Sequence, residues 1–107
     1  MPDEKKLIAA VGFSVRSGKA IFGVDQICEA LGAKKKKGKY PLIVIEAADT
    51  SANTHKKITD KCTYYDVRHI RLNTEGAELA RAFGKSSMVA AVALTDENLC
   101  RLAENNM

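Results

Sequence analysis

The chain has 107 residues, of which 46% are hydrophobic, and a net charge of +4. This length and composition predict one domain with a real core over residues 1–107. No apolar run is long enough to span a membrane, and the start MPDEKK lacks the apolar core of a signal peptide. We therefore expect a cytoplasmic protein with no membrane partner.

The spacing of apolar residues predicts five helices that alternate with four strands along the chain. The predicted helices cover about residues 4–16, 24–33, 52–65 and 74–83, followed by a last helix that carries Leu99, Leu102 and Ala103. The predicted strands cover residues 19–22, 42–47, 69–72 and 88–94. Such strict alternation packs as a sheet with helices on both faces, so the predicted fold class is α/β.

Two of the predicted strands belong at the centre of the sheet. LIVIEA at 42–47 and MVAAVAL at 88–94 are apolar runs that do not alternate, which is typical of strands covered on both faces. Residues 69–72 form a shorter strand in which Arg71 points outward, as in an edge strand.

Candidate capping residues precede three of the predicted helices. Asp49, Thr50 and Ser51 can cap the third helix, Asn73 or Thr74 the fourth, and Thr95 or Asp96 the last. The inner face of the third helix would use Ile58, Cys62 and Tyr65.

Residues 34–39, KKKKGK, hold five lysines directly after the second predicted helix. Such a run usually forms a solvated loop, but beside a helix that begins at a glycine it could also form part of a phosphate-binding face. The sequence leaves both interpretations open.

The cysteines and histidines do not show the spacing of a metal site. Cys28, Cys62 and Cys100 lie far apart, each on the apolar side of a predicted helix, which favours buried free thiols. Neither His55 nor His69 lies within four residues of a cysteine, so no metal site is expected. A dinucleotide-binding fingerprint is absent as well, and we expect no cofactor.

The sequence also argues against an enzyme. Residues 12–20, GFSVRSGKA, come nearest to a nucleotide-binding loop, but five residues rather than four separate Gly12 from Gly18. Ala20 stands where a hydroxyl would ligate magnesium, and the segment precedes a strand instead of following one. No spacing pairs a serine or cysteine with a histidine as nucleophile and base.

The turn into the second predicted helix is the best candidate for a binding site. Gly23 has no Cβ and immediately precedes this helix, so a phosphate or a base edge could approach the bare N–H groups of the helix start. Gln26 offers an amide donor and an acceptor, whereas ionised Asp25 can only accept. The competing interpretation is local structure alone, because acidic residues in a first helical turn complement the helix dipole.

Four segments together resemble a known family. They are LIAAVGFSVRSGKAIFG at 7–23, GVDQICEAL at 23–31, LIVIEAADTSANTHKKITDKC at 42–62 and LARAFGKSSMVAAVALTD at 79–96. These segments cover most of the chain and are similar to the ribosomal L7Ae and L30e family of kink-turn RNA-binding proteins, especially its short bacterial members. The resemblance implies a three-layer α/β/α sandwich with a mixed central sheet of about four strands.

The resemblance also implies which residues bind RNA. In the family, a Gly-x-Asn-Glu step opens the second helix and hydrogen-bonds the sheared G·A pairs of a sharply bent internal loop. Here the step reads Gly23, Val24, Asp25 and Gln26, which keeps the glycine and an amide but moves the acid. Glu29 stands where the family has a lysine that faces guanine, and Lys19 completes this part of the candidate RNA-binding set.

A second family element is the loop before the last strand, which cradles a splayed nucleotide. It corresponds to Gly84 followed by Lys85, Ser86, Ser87 and Met88, where the lysine and serines suggest phosphate contacts. Ser51 lies where some members contact the flipped base. The resemblance thus implies a ribosomal-type protein that is not an enzyme and whose partner is structured RNA, either ribosomal RNA or another kink-turn RNA, with the ribosome as a candidate assembly.

Two alternatives remain open at this stage. A protein-interaction module of the same fold would show no salt-dependent RNA affinity. An RNA-recognition partner of an RNA-modifying enzyme would need that enzyme as a separate chain, since no methyl-donor domain fits in 107 residues.

Overall fold

The structure, a computed structural model, describes residues 4–33 and 40–104. The helices are α1 (Glu4–Arg16), α2 (Val24–Gly32), α3 (Ala52–Tyr64), α4 (Gly76–Ala82) and α5 (Glu97–Glu104). The strands are β1 (Ala20–Phe22), β2 (Ile43–Glu46), β3 (Arg68–Arg71) and β4 (Ala91–Leu94). The predicted alternation is confirmed. The lysine run at 34–39 lies outside the described residues, as do the side chains of Leu99, Leu102 and Ala103.

The four strands form one mixed sheet in the order β1-β4-β2-β3. Strand β4 runs antiparallel to both β1 and β2, while β2 and β3 are parallel. Every residue of β2 and β4 is buried, as expected for central strands covered on both faces. Strand β3 lies at the edge of the sheet with Arg71 exposed, which confirms the prediction for this strand.

Alternate residues of the central strands supply two separate hydrophobic cores. Ile43, Ile45 and Val92 pack on one face of the sheet with residues of α1, α4 and α5. Val44 and Ala93 pack on the other face with residues of α2 and α3. Since side chains along a strand point to opposite faces in turn, two helical layers can cover one sheet. The predicted α/β/α sandwich is thus confirmed. None of the helices within the described ranges has the length and apolar character needed to cross a membrane.

The segment before β4 differs from the sequence prediction. The strand begins at Ala91 rather than Met88, and the side chain of Met88 is 63% exposed. The backbone N–H of Val89 donates to the carbonyl oxygen of Gly76 at 3.1 Å, so the chain here is bonded to the start of α4 instead of to a neighbouring strand. Residues 85–90 are therefore a loop.

The predicted caps are partly right. Ser51 caps α3 by accepting a hydrogen bond from the N–H of Thr54 at 3.2 Å. The prediction that Asn73 or Thr74 caps α4 was wrong, because the helix begins only at Gly76 and both residues donate their backbone N–H to the carboxylate of Glu4.

The three cysteines are free thiols, as predicted, but they differ in burial. Cys62 and Cys100 are buried, whereas Cys28 is only half-buried. Burial raises the pKa of the Cys62 thiol to about 11. Cys28 is thus the most accessible of the three thiols.

Candidate nucleic-acid interface

The start of α2 has the open geometry that its glycine predicts. Gly23 adopts φ +92°, a conformation that L side chains rarely adopt, and no side chain caps the helix. A Cβ at this position would collide with Oε1 of Gln26. Gly23 thus supplies no side-chain acceptor to the first-turn N–H groups of α2, and such groups can receive an anion.

Strand pairing brings this helix start beside the loop at 85–90. Strand β1 ends at Phe22, opposite Val92, and the N–H of Gly23 approaches the carbonyl oxygen of Ala91 at 3.4 Å. Because β1 and β4 are antiparallel, the end of β1 and the beginning of β4 lie at the same end of the sheet. The two segments that the sequence analysis singled out are therefore neighbours in the fold.

Between them lies a groove of about 480 Å³, open to solvent. It is lined by Phe22, Gly23, Gln26 and residues 85–90. The ammonium group of Lys85 lies 4.3 Å from the centre of the Phe22 ring. This ring packs against the ring of Phe83, with 6.1 Å between the two ring centres. A cation over an aromatic face is a favourable contact, so Lys85 is held at the wall of the groove.

The groove presents a mixed set of chemical groups. Gln26, Lys85, Ser86 and Ser87 are exposed and supply an amide, an ammonium group and two hydroxyls. The thioether of Met88, also exposed, adds an apolar contact. Polar donors next to an apolar surface suit a ligand that carries both phosphates and flat bases.

The other predicted residues of α2 lie outside the lining of the groove. Asp25 is exposed and accepts a hydrogen bond from the ammonium group of Lys57 on α3 at 2.9 Å. This bond raises the pKa of Lys57. Val24 packs partly against the core formed with α3, and Glu29 is exposed on the outer surface of the helix.

Lys19 and Ser51 are also absent from the lining. Lys19 precedes β1, at the opposite end of that strand from Gly23, and its carbonyl oxygen accepts hydrogen bonds from Thr95. Ser51 serves as the cap of α3. The structure therefore brings together Gly23, Gln26 and residues 85–88, and it places the remaining five predicted residues elsewhere on the surface or in the core.

Three lining residues were not predicted from the sequence: Phe22, Val89 and Ala90. The sequence pattern places Phe22 only in a strand, yet its ring supports Lys85. Its position next to Gly23 is the signal available in the sequence, because the last residue of a strand lies beside the turn after it.

A second polar cluster was missed altogether. Glu46 ends β2 with a fully buried side chain, and its Oε1 accepts hydrogen bonds from Nδ1 of His55 and Nε2 of His69, both at 2.8 Å. Its Oε2 accepts from the hydroxyl of Thr50 and lies 3.5 Å from Nε of Arg71. Burial acts to raise the pKa of Glu46, but the hydrogen bonds from Thr50, His55 and His69 outweigh it, and the net pKa is lowered.

Glu46, His55 and His69, which we call the carboxylate–histidine cluster, leave no local signal in the sequence. Glu46 stands in a run that is otherwise apolar, and neither histidine has a cysteine nearby. The histidines follow Glu46 by 9 and 23 residues, and these separations do not correspond to a recognisable metal-binding or catalytic motif. Only the packing of α3 and the parallel pairing of β3 with β2 bring them together.

Hydrogen bonds of the side chains of Arg71 and Asp49 to backbone groups connect this cluster to the groove. The guanidinium of Arg71 donates to the carbonyl oxygens of Ala48 and Thr50, which holds the loop after β2. In the same loop, the carboxylate of Asp49 accepts a hydrogen bond from the N–H of Gly76 at 2.8 Å. The carbonyl oxygen of Gly76 in turn accepts from the N–H of Val89, which lines the groove.

Comparisons of the sequence with known proteins agree with the observed fold. Residues 5–103 match the ribosomal protein L7Ae/L30e/S12e/Gadd45 family. The chain is 34% identical over 87 residues to the RNA-binding protein YlxQ of Bacillus subtilis (strain 168), and this match covers 81% of this chain and 80% of that protein. It is 33% identical over 90 residues to the RNA-binding protein YlxQ of Enterococcus faecium, with coverage of 84% and 82%.

Two solved structures share the fold at low sequence identity. A protein of unknown function from Bacillus halodurans C superposes with a TM-score of 0.74 at 23% identity, covering 92% of this chain and 97% of that one. A 15.5kD RNA binding protein from Giardia lamblia superposes with a TM-score of 0.78 at 15% identity, covering 95% and 82%. Since the family match spans nearly the whole chain, this chain belongs to the ribosomal protein L7Ae/L30e/S12e/Gadd45 family.

Proposed function

We propose that this protein is a non-enzymatic, cytoplasmic RNA-binding protein that recognises a structured, sharply bent RNA of the kink-turn type. The observation that carries the proposal is the shared groove, which joins the bare start of α2 to the loop at 85–90. The two bacterial relatives are named RNA-binding proteins, which supports RNA as the ligand class.

The proposal assigns base recognition to Gln26. Its amide can donate to and accept from a base edge at once, and it lines the groove next to Gly23, which has no Cβ. Side chains cannot read the narrow major groove of a regular A-form helix, so an amide of this kind needs bases that a bend has unpaired or displaced. Kink-turn RNA offers such bases.

The proposal assigns contacts with the RNA backbone to the opposite wall of the groove. Lys85, anchored over Phe22, and the hydroxyls of Ser86 and Ser87 can bind phosphate oxygens, which positions the RNA without reading its sequence. The exposed thioether of Met88 can contact the face of a splayed base. One groove would thus hold the phosphates and the displaced nucleotide together.

The direct test compares an RNA that has the bend and its G·A pairs with an RNA that has neither. A kink-turn RNA and a straight duplex, in which the G·A pairs are replaced by Watson–Crick pairs, are titrated with the protein at several salt concentrations by fluorescence anisotropy. The expected result is preferential, salt-dependent binding of the kink-turn RNA. Equal affinity for both RNAs would overturn recognition of the bend while leaving general RNA binding in place.

The same titration separates the alternative functions. No salt-dependent affinity for either RNA would favour a protein-interaction module. If the kink-turn RNA binds, sequencing of the RNA that copurifies with the protein identifies the natural partner among ribosomal and other structured RNAs. Copurification of an RNA-modifying enzyme together with that RNA would favour a role as its recognition partner.

A further inference from the structure

We propose that the carboxylate–histidine cluster is a binding site for a divalent transition-metal ion, with Zn²⁺ as the ion that suits it best. The ligand atoms would be Oε1 of Glu46, Nδ1 of His55 and Nε2 of His69, which all lie within 4.8 Å of one another. This proposal is independent of the RNA-binding function and of the groove that carries it.

The convergence of the three ligand atoms supports the site. One carboxylate oxygen already lies 2.8 Å from a nitrogen of each imidazole. Around a tetrahedral zinc ion with bonds of about 2.0–2.1 Å, neighbouring ligand atoms are roughly 3.3 Å apart. An ion bound here therefore requires each oxygen–nitrogen distance to lengthen by only about half an ångström. The two imidazole nitrogens, which lie within 4.8 Å of one another, would turn toward the ion to reach the same separation.

Each ligand is held by a regular element of the fold. Glu46 lies in the central strand β2 and is fully buried, His69 lies in β3, and His55 lies in the first turn of α3. The hydroxyl of Thr50 donates to Oε2 of Glu46, which also lies 3.0 Å from Nδ1 of His55, while Oε1 contacts both imidazoles. Outer hydrogen bonds of this kind orient carboxylate ligands in metal sites.

The donor set and its exposure favour zinc-like ions over calcium or magnesium. Two imidazole nitrogens and one carboxylate suit transition metals, whereas calcium and magnesium prefer oxygen ligands alone. The side chain of His55 is 38% exposed, so an ion can enter from solvent and keep water as a fourth ligand. Arg71 lies on the far side of the carboxylate, 3.5 Å from Oε2, and its positive charge will weaken the binding of any cation.

The test uses the full-length protein without a histidine tag, stripped with a chelator and then dialysed. Co²⁺ is added while visible absorption is recorded, and Zn²⁺ is added in a calorimeter. We expect one ion per chain, and displacement of Co²⁺ by Zn²⁺. His55→Ala should weaken binding at least about tenfold, which is the lower end of the loss seen even when a ligand's hydrogen-bond partner is removed.

Two further variants make the result decisive. Cys28→Ser is the matched control, because it removes the most accessible of the three thiols, which lies outside the cluster, and should leave the titration unchanged. The double variant with His55→Ala and His69→Ala should abolish binding, and its melting curve shows whether it is folded. His55 is partly exposed, so the single variant keeps the test valid even if the double variant unfolds. Unchanged affinity in His55→Ala, or no saturable binding of either ion to the parent protein, would overturn the proposal.

Discussion

The side chain of Gln26 occupies the space in which any side chain at position 23 would have to lie. Gly23 and Gln26 are therefore structurally coupled, because the absence of a Cβ at one position is what allows the amide of the other to lie across the helix start. A glycine at position 23 both adopts the positive φ and leaves space for the amide of Gln26.

Replacing Gln26 by alanine should weaken binding of a kink-turn RNA about tenfold or more, since removal of a base contact of this kind costs about 1 to 3 kcal/mol by analogy with DNA readout. Because Gln26 is exposed, the melting temperature should barely change. Asn98→Ala is the matched control, as it removes an exposed amide from the first turn of α5. If Gln26→Ala binds a panel of kink-turn RNAs as well as the parent does, the family's recognition mode does not operate here.

Replacing Asp25 by asparagine should strengthen RNA binding. The change removes a carboxylate beside the helix start and replaces the ion pair with Lys57 by a weaker bond to a neutral amide oxygen. The pair is exposed, so stability should hardly change. Asp60→Asn is the control, since it breaks the similarly exposed pair with Lys56 and alters net charge equally. Equal gains in affinity from both variants would mean that only net charge matters.

Lys85→Ala should weaken binding to all RNA targets by a similar factor, because a phosphate contact carries no sequence information. The slope of log affinity against log salt should become shallower by roughly 0.7 to 0.9, as removal of a single phosphate-binding charge requires. Lys61→Ala removes an exposed lysine from α3 and is the control for charge alone. A large decrease in affinity confined to one RNA sequence would show that Lys85 reads a base instead.

Val92→Asp should unfold the protein. Val92 is completely buried in the central strand β4, and an unpaired carboxylate cannot be accommodated there. Met88→Asp is the matched control, because this residue is exposed in the loop before the strand and should leave the fold intact. Circular dichroism with thermal melting distinguishes the two variants, and a cooperative native transition in Val92→Asp would contradict the position of β4.

Thiol labelling should separate the cysteines by burial. At about pH 8 in the native protein, Cys28 should react first with a disulfide reagent, because it is only half-buried whereas Cys62 and Cys100 are buried. The thiolate is the form of a cysteine that reacts. Cys62 should react slowly, since burial raises its pKa to about 11 and its thiolate forms only as the pH approaches that value. All three thiols should react together in denaturant, and Cys28→Ser should remove the fast phase.

The sequence predicted the architecture well because the central strands leave a strong local signal. β2 and β4 are unbroken apolar runs, and the element order follows from Gly, Ser and Asp residues at the turns. The groove could also be anticipated, since Gly23 and the loop after Gly84 belong to recognisable family segments. Gly84 does adopt φ +69° at the end of α4, as a glycine in that place suggests.

The sequence could not predict contacts that depend on distant segments. The start of α4 is one example, because a carboxylate 27 residues earlier, on Asp49, binds the N–H of Gly76 in place of the expected local caps. The burial of Glu46 is another, since its histidine partners come from a helix and from a parallel strand. Such contacts arise from strand order and helix packing, which local patterns do not encode.

The bonds of Gly76 to Asp49 and to Val89 fix one wall of the groove before any ligand arrives. A side chain at position 76 would press against the carbonyl oxygen of Val89, so this junction requires a glycine for close approach of two backbones. A wall that is already ordered loses little conformational entropy on association. In the proposed complex with a bent RNA, the ordering of this wall then adds little to the entropic cost of binding.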